Sequence, residues 1–330
     1  MEAGGGRAQD AARLEPQVVS AAGRTMTKFI DIHGHCVLEH FVPCKDWKID
    51  GVRCHLISNP SEMLEFYDRH GVEKGVLMPL CNAENAPQSQ SNEEVLEIAR
   101  RHPDRFIPYC NVDPRNLFND FSKSRFADTL KWYRDKGCKG LGEMCCNLHF
   151  LDPRVQALMS AAEDVGFPMT FHMAPFAGNS YGLVDEAGMP ELEESLKRHP
   201  KLKIFGHSQA FWAEIGKNPS MNDRLNNPTG AIKEEGRLVE LMRAYPNLYG
   251  DLSAGSGGNA LMRDRAYAVK FLNEFQDRLL FGMDICSPEA ERKWPKPLSG
   301  FLRDLCAKGE ISEAVFNKVG RDNAVRLLGL

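Results

Sequence analysis

The chain has 330 residues, 42% of them hydrophobic and 26% charged, with a formal net charge of −4 at pH 7. This is the composition of a folded globular protein with material for a large core, and it excludes disorder for the bulk of the chain. The mildly acidic balance and scattered basic residues give no footprint for nucleic acid, and no apolar run reaches the roughly 18 to 20 residues that a bilayer span needs.

Residues 1–27 are rich in Gly and Ala and show no sustained periodicity, so the sequence predicts a disordered leader before a single folded domain over 28–330. The leader lacks the basic start and apolar stretch of a signal peptide, and the expected location is cytoplasmic. Ten cysteines without a C-x-x-C pair then read as reduced thiols rather than a disulfide framework.

Short apolar runs follow at intervals: "FIDIH" (29–33), "GVLMPL" (75–80), "FIPYCNV" (106–112), "CKGLGE" (138–143), "PMTFHM" (168–173), "LKIFGH" (202–207), "LYGDLS" (248–253) and "RLLFGMD" (278–284). Helical segments lie between them. In "NPSEMLEFYDRHG", Asn59 caps, Pro60 suits the first turn, Glu62 closes a capping box and Gly71 provides the left-handed stop. Ser91 and Glu94 repeat that logic before Pro103, and Val155, Leu158, Ala162 and Val165 form one apolar face between Asp152 and Gly166. Apolar strands alternating with helices predict parallel pairing, best satisfied by an α/β (β/α)8 TIM barrel. A doubly wound open sheet is the alternative, but "HGHC" after the first strand is no glycine-rich phosphate loop.

Polar residues fall at particular places on this frame. His33 and His35, Glu143, His172, His207 and Asp284 each lie at or beside the C-terminal end of a predicted strand. In a parallel barrel those ends meet at one mouth, where active sites form. An isolated H-x-H is a weak signal, whereas imidazoles and carboxylates converging from five strands suit zinc or a related divalent ion with a coordination position left for water.

With these pieces in order, the chain resembles the amidohydrolase superfamily, in particular the amidohydrolase-2 group that includes aminocarboxymuconate-semialdehyde decarboxylase and related aromatic-acid decarboxylases. The resemblance rests on "FIDIHGHC", "GVEKGVLMPL", "HPDRFIPYCNVDP", "GCKGLGE", "VGFPMTFHM", "LKIFGHSQAFW", "NLYGDLSA", "RLLFGMD" and "NAVRLLGL", across about residues 28–330. It implies that His33, His35, His172 and Asp284 are metal ligands, and that His207 meets the activated water, the substrate or a second ion. Glu143 is implied as a ligand or a substrate contact.

The expected activity is hydrolysis of an ester, lactone or amide of a small molecule, with Asp284 moving the proton of the activated water and His207 steadying developing charge. Zn2+ is the first expectation for the ion, with Mn2+ or Fe2+ behind it. Nonoxidative decarboxylation is the alternative, and Arg53 a candidate clamp for a departing carboxylate. A third class, a metal-binding barrel without catalysis, conflicts with a complete ligand set.

Long loops over 36–58, with Trp47 and His55, and over 208–233, with Phe211 and Trp212, are expected to shape substrate access; Trp212 reads first as a core residue. Asp251 is expected to orient a ligating histidine. His70, His102 and His199 read as helix-end cations rather than ligands, and His149, just after the fourth strand, reads first as a residue outside the site. The expected partner is a small-molecule substrate. A homo-oligomer accords with how common closed assemblies are, though the sequence marks no interface.

Overall fold

A computed structural model describes residues 27–38, 48–49, 52–53, 57–85, 89–116, 122–285, 287 and 297–330. Residues 1–26 of the expected leader, Trp47 and His55 lie outside the described residues, and Arg53 is described only as backbone, in a two-residue strand paired antiparallel with Lys48–Ile49.

The barrel strands are β1 (Phe29–Gly34), β2 (Val72–Leu77), β3 (Phe106–Pro108), β4 (Leu141–Met144), β5 (Met169–Ala174), β6 (Ile204–His207), β7 (Leu248–Asp251) and β8 (Leu279–Leu280). Hydrogen-bonded ladders order them as β1-β2-β3 and β4-β5-β6-β7-β8, with every pair parallel. Two seams close the ring. Between β3 and β4, Cys110 N donates to Gly140 O at 3.0 Å and Gly142 N to Cys110 O at 2.8 Å; between β8 and β1, Ile32 N donates to Phe281 O at 3.1 Å. The fold is the expected TIM barrel.

Its strands are shorter and shifted relative to the apolar runs. The second begins at Val72, including Glu73 and Lys74 on the rim, and the eighth ladder covers only Leu279 and Leu280. Pairing decides where a strand starts and ends, and apolar composition marks only its buried stretch.

Two apolar clusters fill the molecule. Ile30, Ile32, Val76, Ile107, Phe205, Tyr249 and Leu280 come from six different strands and meet inside the barrel, where Ala324, Leu327 and Leu328 of the last helix join them. Each such fully buried side chain contributes roughly 1.5–3 kcal/mol before entropy is counted. The larger cluster, including Met63, Val95, Phe126, Leu158 and Leu192, lies between strands and helices.

The helix signals are realised with one difference. Asn59 and Glu62 form the reciprocal capping box, Pro60 opens the helix Pro60–His70, and Gly71 stops it at φ 66. Ser91 caps the helix Asn92–Arg101, but the Glu94 carboxylate accepts instead from Leu38 N at 2.7 Å, tying that helix to the loop after β1.

Candidate metal centre

The histidines of "FIDIHGHC" are aimed by a bulge. Asp31 pairs with Gly75 and Gly34 with Leu77, so β1 spends one residue more than β2 over this interval. Asp31 accepts from Tyr67 Oη at 2.8 Å, and a side chain on Gly34 would also meet that hydroxyl. Both residues therefore face the helix layer, although strict alternation would place them on opposite faces. The extra residue resets the alternation and turns His33 and His35, on either side of Gly34, into the mouth. β4 carries a matching bulge between Leu141 and Met144, around Glu143. On β5 and β6 the register itself sets His172 beside His207, with ring centroids 5.3 Å apart. Asp284 follows β8 at φ 51, held by its N–H donating to His33 O at 2.8 Å.

Each imidazole is held from behind. His33 Nδ1 donates to Asp251 Oδ2 at 2.6 Å, His35 Nδ1 to Met78 O at 2.8 Å and His172 Nδ1 to Glu143 Oε1 at 3.0 Å. His207 Nδ1 lies 2.9 Å from Ser253 Oγ. For His33, His35 and His172, whose Nδ1 donates, such bonds fix the tautomer and leave Nε2 with a lone pair toward the mouth, whereas the Ser253 hydroxyl can donate to His207 Nδ1 and leave the proton on its Nε2. His33 Nε2 is fully buried and, among the described residues, has no hydrogen-bond partner.

The remaining separations are those of shared ligands. Glu143 Oε2 lies 3.6 Å from His33 Nε2 and 3.4 Å from His35 Nε2; Asp284 Oδ1 lies 3.8 and 3.6 Å from the same atoms. Asp284 Oδ2 is 3.7 Å from His207 Nε2. These exceed ordinary hydrogen bonds, but two ligands about 2.1 Å from one tetrahedral ion stand about 3.4 Å apart. Three overlapping triads satisfy the spacing: His33, His35 and Glu143; His33, His207 and Asp284; and Glu143, His172 and His207.

The electrostatics point the same way. Among the described residues neither Glu143 nor Asp251 has a lysine or arginine partner, and each is at least 96% buried. Burial opposes charge on His33, yet Asp251, Asp284 and Glu143 together hold its pKa well above the ordinary value. Burial also raises carboxyl pKa values, but His33 with the surrounding imidazoles brings both Glu143 and Asp284 below theirs. His207 goes the other way: burial, then the neighbouring His33, pushes it down to about 4, so it is neutral at pH 7. Buried anionic oxygens and an unpartnered imidazole nitrogen are the surroundings a divalent cation satisfies.

His33, His35, Glu143, His172, His207 and Asp284 thus meet at one mouth. Asp251 orients His33 as expected. Trp212 is buried as expected, and its indole also donates to Asp251 O at 2.8 Å. His149 does not reach the mouth; it is exposed and pairs with Glu191 at 3.0 Å. His70 and His102 end helices as expected, whereas His199 is buried against Gln156 and its pKa is lowered by burial, so it is no cation. Cys145 and Cys146 are buried thiols with pKa values raised by desolvation, which leaves them unreactive.

Sequence reasoning missed a polar network beneath Glu143. Asn111 Nδ2 donates to Glu143 O at 2.6 Å and Asn82 Oδ1 accepts from Cys145 N at 3.0 Å. Asp113 accepts from Asn82 at 3.1 Å and from Arg115, whose guanidinium also makes a two-pronged contact with Glu84 at 2.8 and 2.7 Å. Glu84 accepts from Asn147 N, and Asn147 holds the loop carrying Tyr181, whose ring lies 4.3 Å from that of His172. The available signal was the position of "NVDPR" at the end of the third strand.

A parallel barrel with imidazoles and carboxylates gathered at its C-terminal mouth defines a class of metal-site enzyme scaffold. A family profile described as Amidohydrolase matches residues 81–330, and the chain belongs to that family, whose metal-dependent members are hydrolases or decarboxylases. The match begins downstream of "FIDIHGHC", so the β1 histidines enter through geometry. Comparison with curated proteins finds no match. Among solved structures, 5-carboxyvanillate decarboxylase from Sphingomonas paucimobilis is similar at 16% identity and a TM-score of 0.58, over 92% of this chain and 99% of that one. A probable 2-pyrone-4,6-dicarboxylic acid hydrolase from Acinetobacter baumannii aligns at 13% identity and 0.54, over 92% and 100%. An uncharacterized TIM-barrel protein from Bordetella bronchiseptica aligns at 19% and 0.52, over 81% of each. Likeness at these identities bears on the fold.

Proposed function

We propose that the chain is a metal-dependent hydrolase of a small-molecule ester, lactone or amide, with His33, His35, His172, Glu143 and Asp284 as the ligand set and Asp284 and His207 as the catalytic residues. The observation that carries the reading is the buried, unpartnered Nε2 of His33, facing Glu143 and Asp284 at ligand-sharing distances. A divalent ion held by these residues, Zn2+ by donor chemistry with Mn2+ or Fe2+ next, would supply Lewis acidity, making water more acidic and a substrate carbonyl more electrophilic.

The chain's own groups do the rest. Asp284, ionised and with 16% of its side chain exposed, takes the proton of the attacking water and delivers it to the departing oxygen or nitrogen. His207 is neutral; with the Ser253 hydroxyl donating to Nδ1, its Nε2–H donates to the oxygen on which charge develops. Asp251 holds His33 in the ligating tautomer throughout.

Nonoxidative decarboxylation of a small carboxylic acid is the second reading, favoured by the fold likeness to 5-carboxyvanillate decarboxylase. Metal-loaded protein incubated with a panel of lactones, esters, amides and aromatic acids separates the two. Acid release without carbon dioxide supports hydrolysis. Carbon dioxide release, with a proton replacing the carboxylate on carbon and no net hydrolysis, establishes the second reading instead.

A further inference from the structure

The connection between β6 and β7 folds back on itself. Gly216 bridges antiparallel to Glu235, Lys217 N donates to Glu234 O at 3.1 Å, and Ser220 caps a short helix, Met221–Leu225. Its far arm is fastened to neighbouring helices by Asn259 Nδ2 donating to Pro228 O and Ile232 N to Asp264 Oδ2, each at 2.9 Å. Between these segments lies a surface-open pocket of about 410 Å3 that shares no lining residue with the metal centre. That volume falls in the range of small-molecule sites, roughly 300–1,000 Å3.

The charges lining this cavity are not balanced among themselves. Lys217 is paired with Glu234 at 2.6 Å, and Asp223 is satisfied by Ser220 N and Oγ at 2.9 and 2.7 Å. Three cations (Lys217, Lys233 and Arg263) and two carboxylates (Asp223 and Glu234) line it, one positive charge in excess; Arg263 feels Asp223 and Asp264, but among the described residues neither it nor Lys233 forms an ion pair within 4 Å. Among the described residues Arg263 Nη1 reaches only Gly230 O, at 3.3 Å, and its buried Nε has no hydrogen-bond partner. Burial lowers the pKa of this guanidinium, and the attraction of Asp223 and Asp264 offsets that only in part. A partly desolvated guanidinium with unmet donors gains most from an anion, whose oxygens match its fork two at a time.

We propose that this cavity is a second binding site, for a small molecule bearing an oxyanion group, carboxylate or phosphate, held by Arg263 and Lys233. Ala213, which lines the cavity, adjoins Trp212, whose indole bonds the backbone of Asp251, so the site stands one short helix away from the metal centre.

The test is calorimetric titration of the full, metal-loaded chain with inorganic phosphate and, separately, with acetate. Wild type is expected to bind at least one of them at a single site, and which one identifies the oxyanion. Arg263→Gln and Lys233→Gln should each weaken binding about tenfold or more, while His33→Ala leaves it intact. Lys233 is exposed, so its substitution spares the fold even if that of Arg263 does not. No binding of either anion by wild type overturns the proposal. So does binding that survives Lys233→Gln undiminished, or binding that disappears in His33→Ala, which would place the anion on the metal.

Discussion

His33 and Asp251, 218 residues apart in sequence, are joined by a 2.6 Å hydrogen bond from Nδ1 to Oδ2, which commits Nε2 to the mouth of the barrel. Asp251→Asn keeps the shape and removes the charge that makes the imidazole a good donor to a cation. Metal affinity is expected to fall about 10- to 100-fold, read by competition with a chromophoric chelator. Affinity equal to wild type would mean that Asp251 serves the barrel and not the ligand.

Ser253 tests the role given to His207 separately from metal binding. Ser253→Ala removes the partner of Nδ1 at 2.9 Å without touching the other imidazoles. Metal content should be unchanged, with kcat reduced about tenfold or more and KM little altered. A rise in KM alone would make Ser253 a substrate-binding residue.

Gly142 lies at φ +145 inside the β4 bulge, and a Cβ there would stand 2.7 Å from Thr170 O. Neither the dihedral nor the space suits another residue. Gly142→Ala should cost about 2 kcal/mol or more in stability, by strain and overpacking. Denaturant unfolding of the metal-free protein measures this, and an unshifted midpoint would contradict the bulge as described.

Arg115 supports the loops beneath Glu143. Burial raises Glu84 and Asp113, but hydrogen bonds from Arg115 outweigh it and hold both below their ordinary values of 4.5 and 3.8. For a carboxylate depressed in the folded state, the stabilisation is fully present above the unfolded value and is lost as pH falls through the lower folded one. Arg115→Met should therefore be destabilised near pH 6 and lose less further stability than wild type on acidification below about pH 4.5. Parallel stability–pH curves for the two proteins would contradict this.

The parts of the site visible in the sequence were those whose chemistry depends on residue type and place along a strand. His33, His35, Glu143, His172, His207 and Asp284 could be placed because parallel strands bring their C-terminal ends together whatever the distance in sequence. The aim of each side chain could not. The bulges in β1 and β4 arise from pairing with β2 and β5, and nothing in "FIDIHGHC" alone announces an extra residue. Met78 was also illegible, because it acts through its carbonyl, which every residue possesses. His199 was misread for a related reason: its helix-end position was correct, but packing against Gln156 outweighs the helix dipole. Glu94 followed the capping pattern locally and was claimed by Leu38 from another part of the chain.

The most direct test of the account is elemental analysis of protein purified without chelator, comparing wild type with His33→Ala and Asp284→Asn. The account predicts about one equivalent or more of a transition metal in wild type and loss of that metal in both variants, with each variant still folded by circular dichroism. Wild type free of metal after supplementation, or variants that retain it in full, would contradict the metal centre and the hydrolase reading built on it.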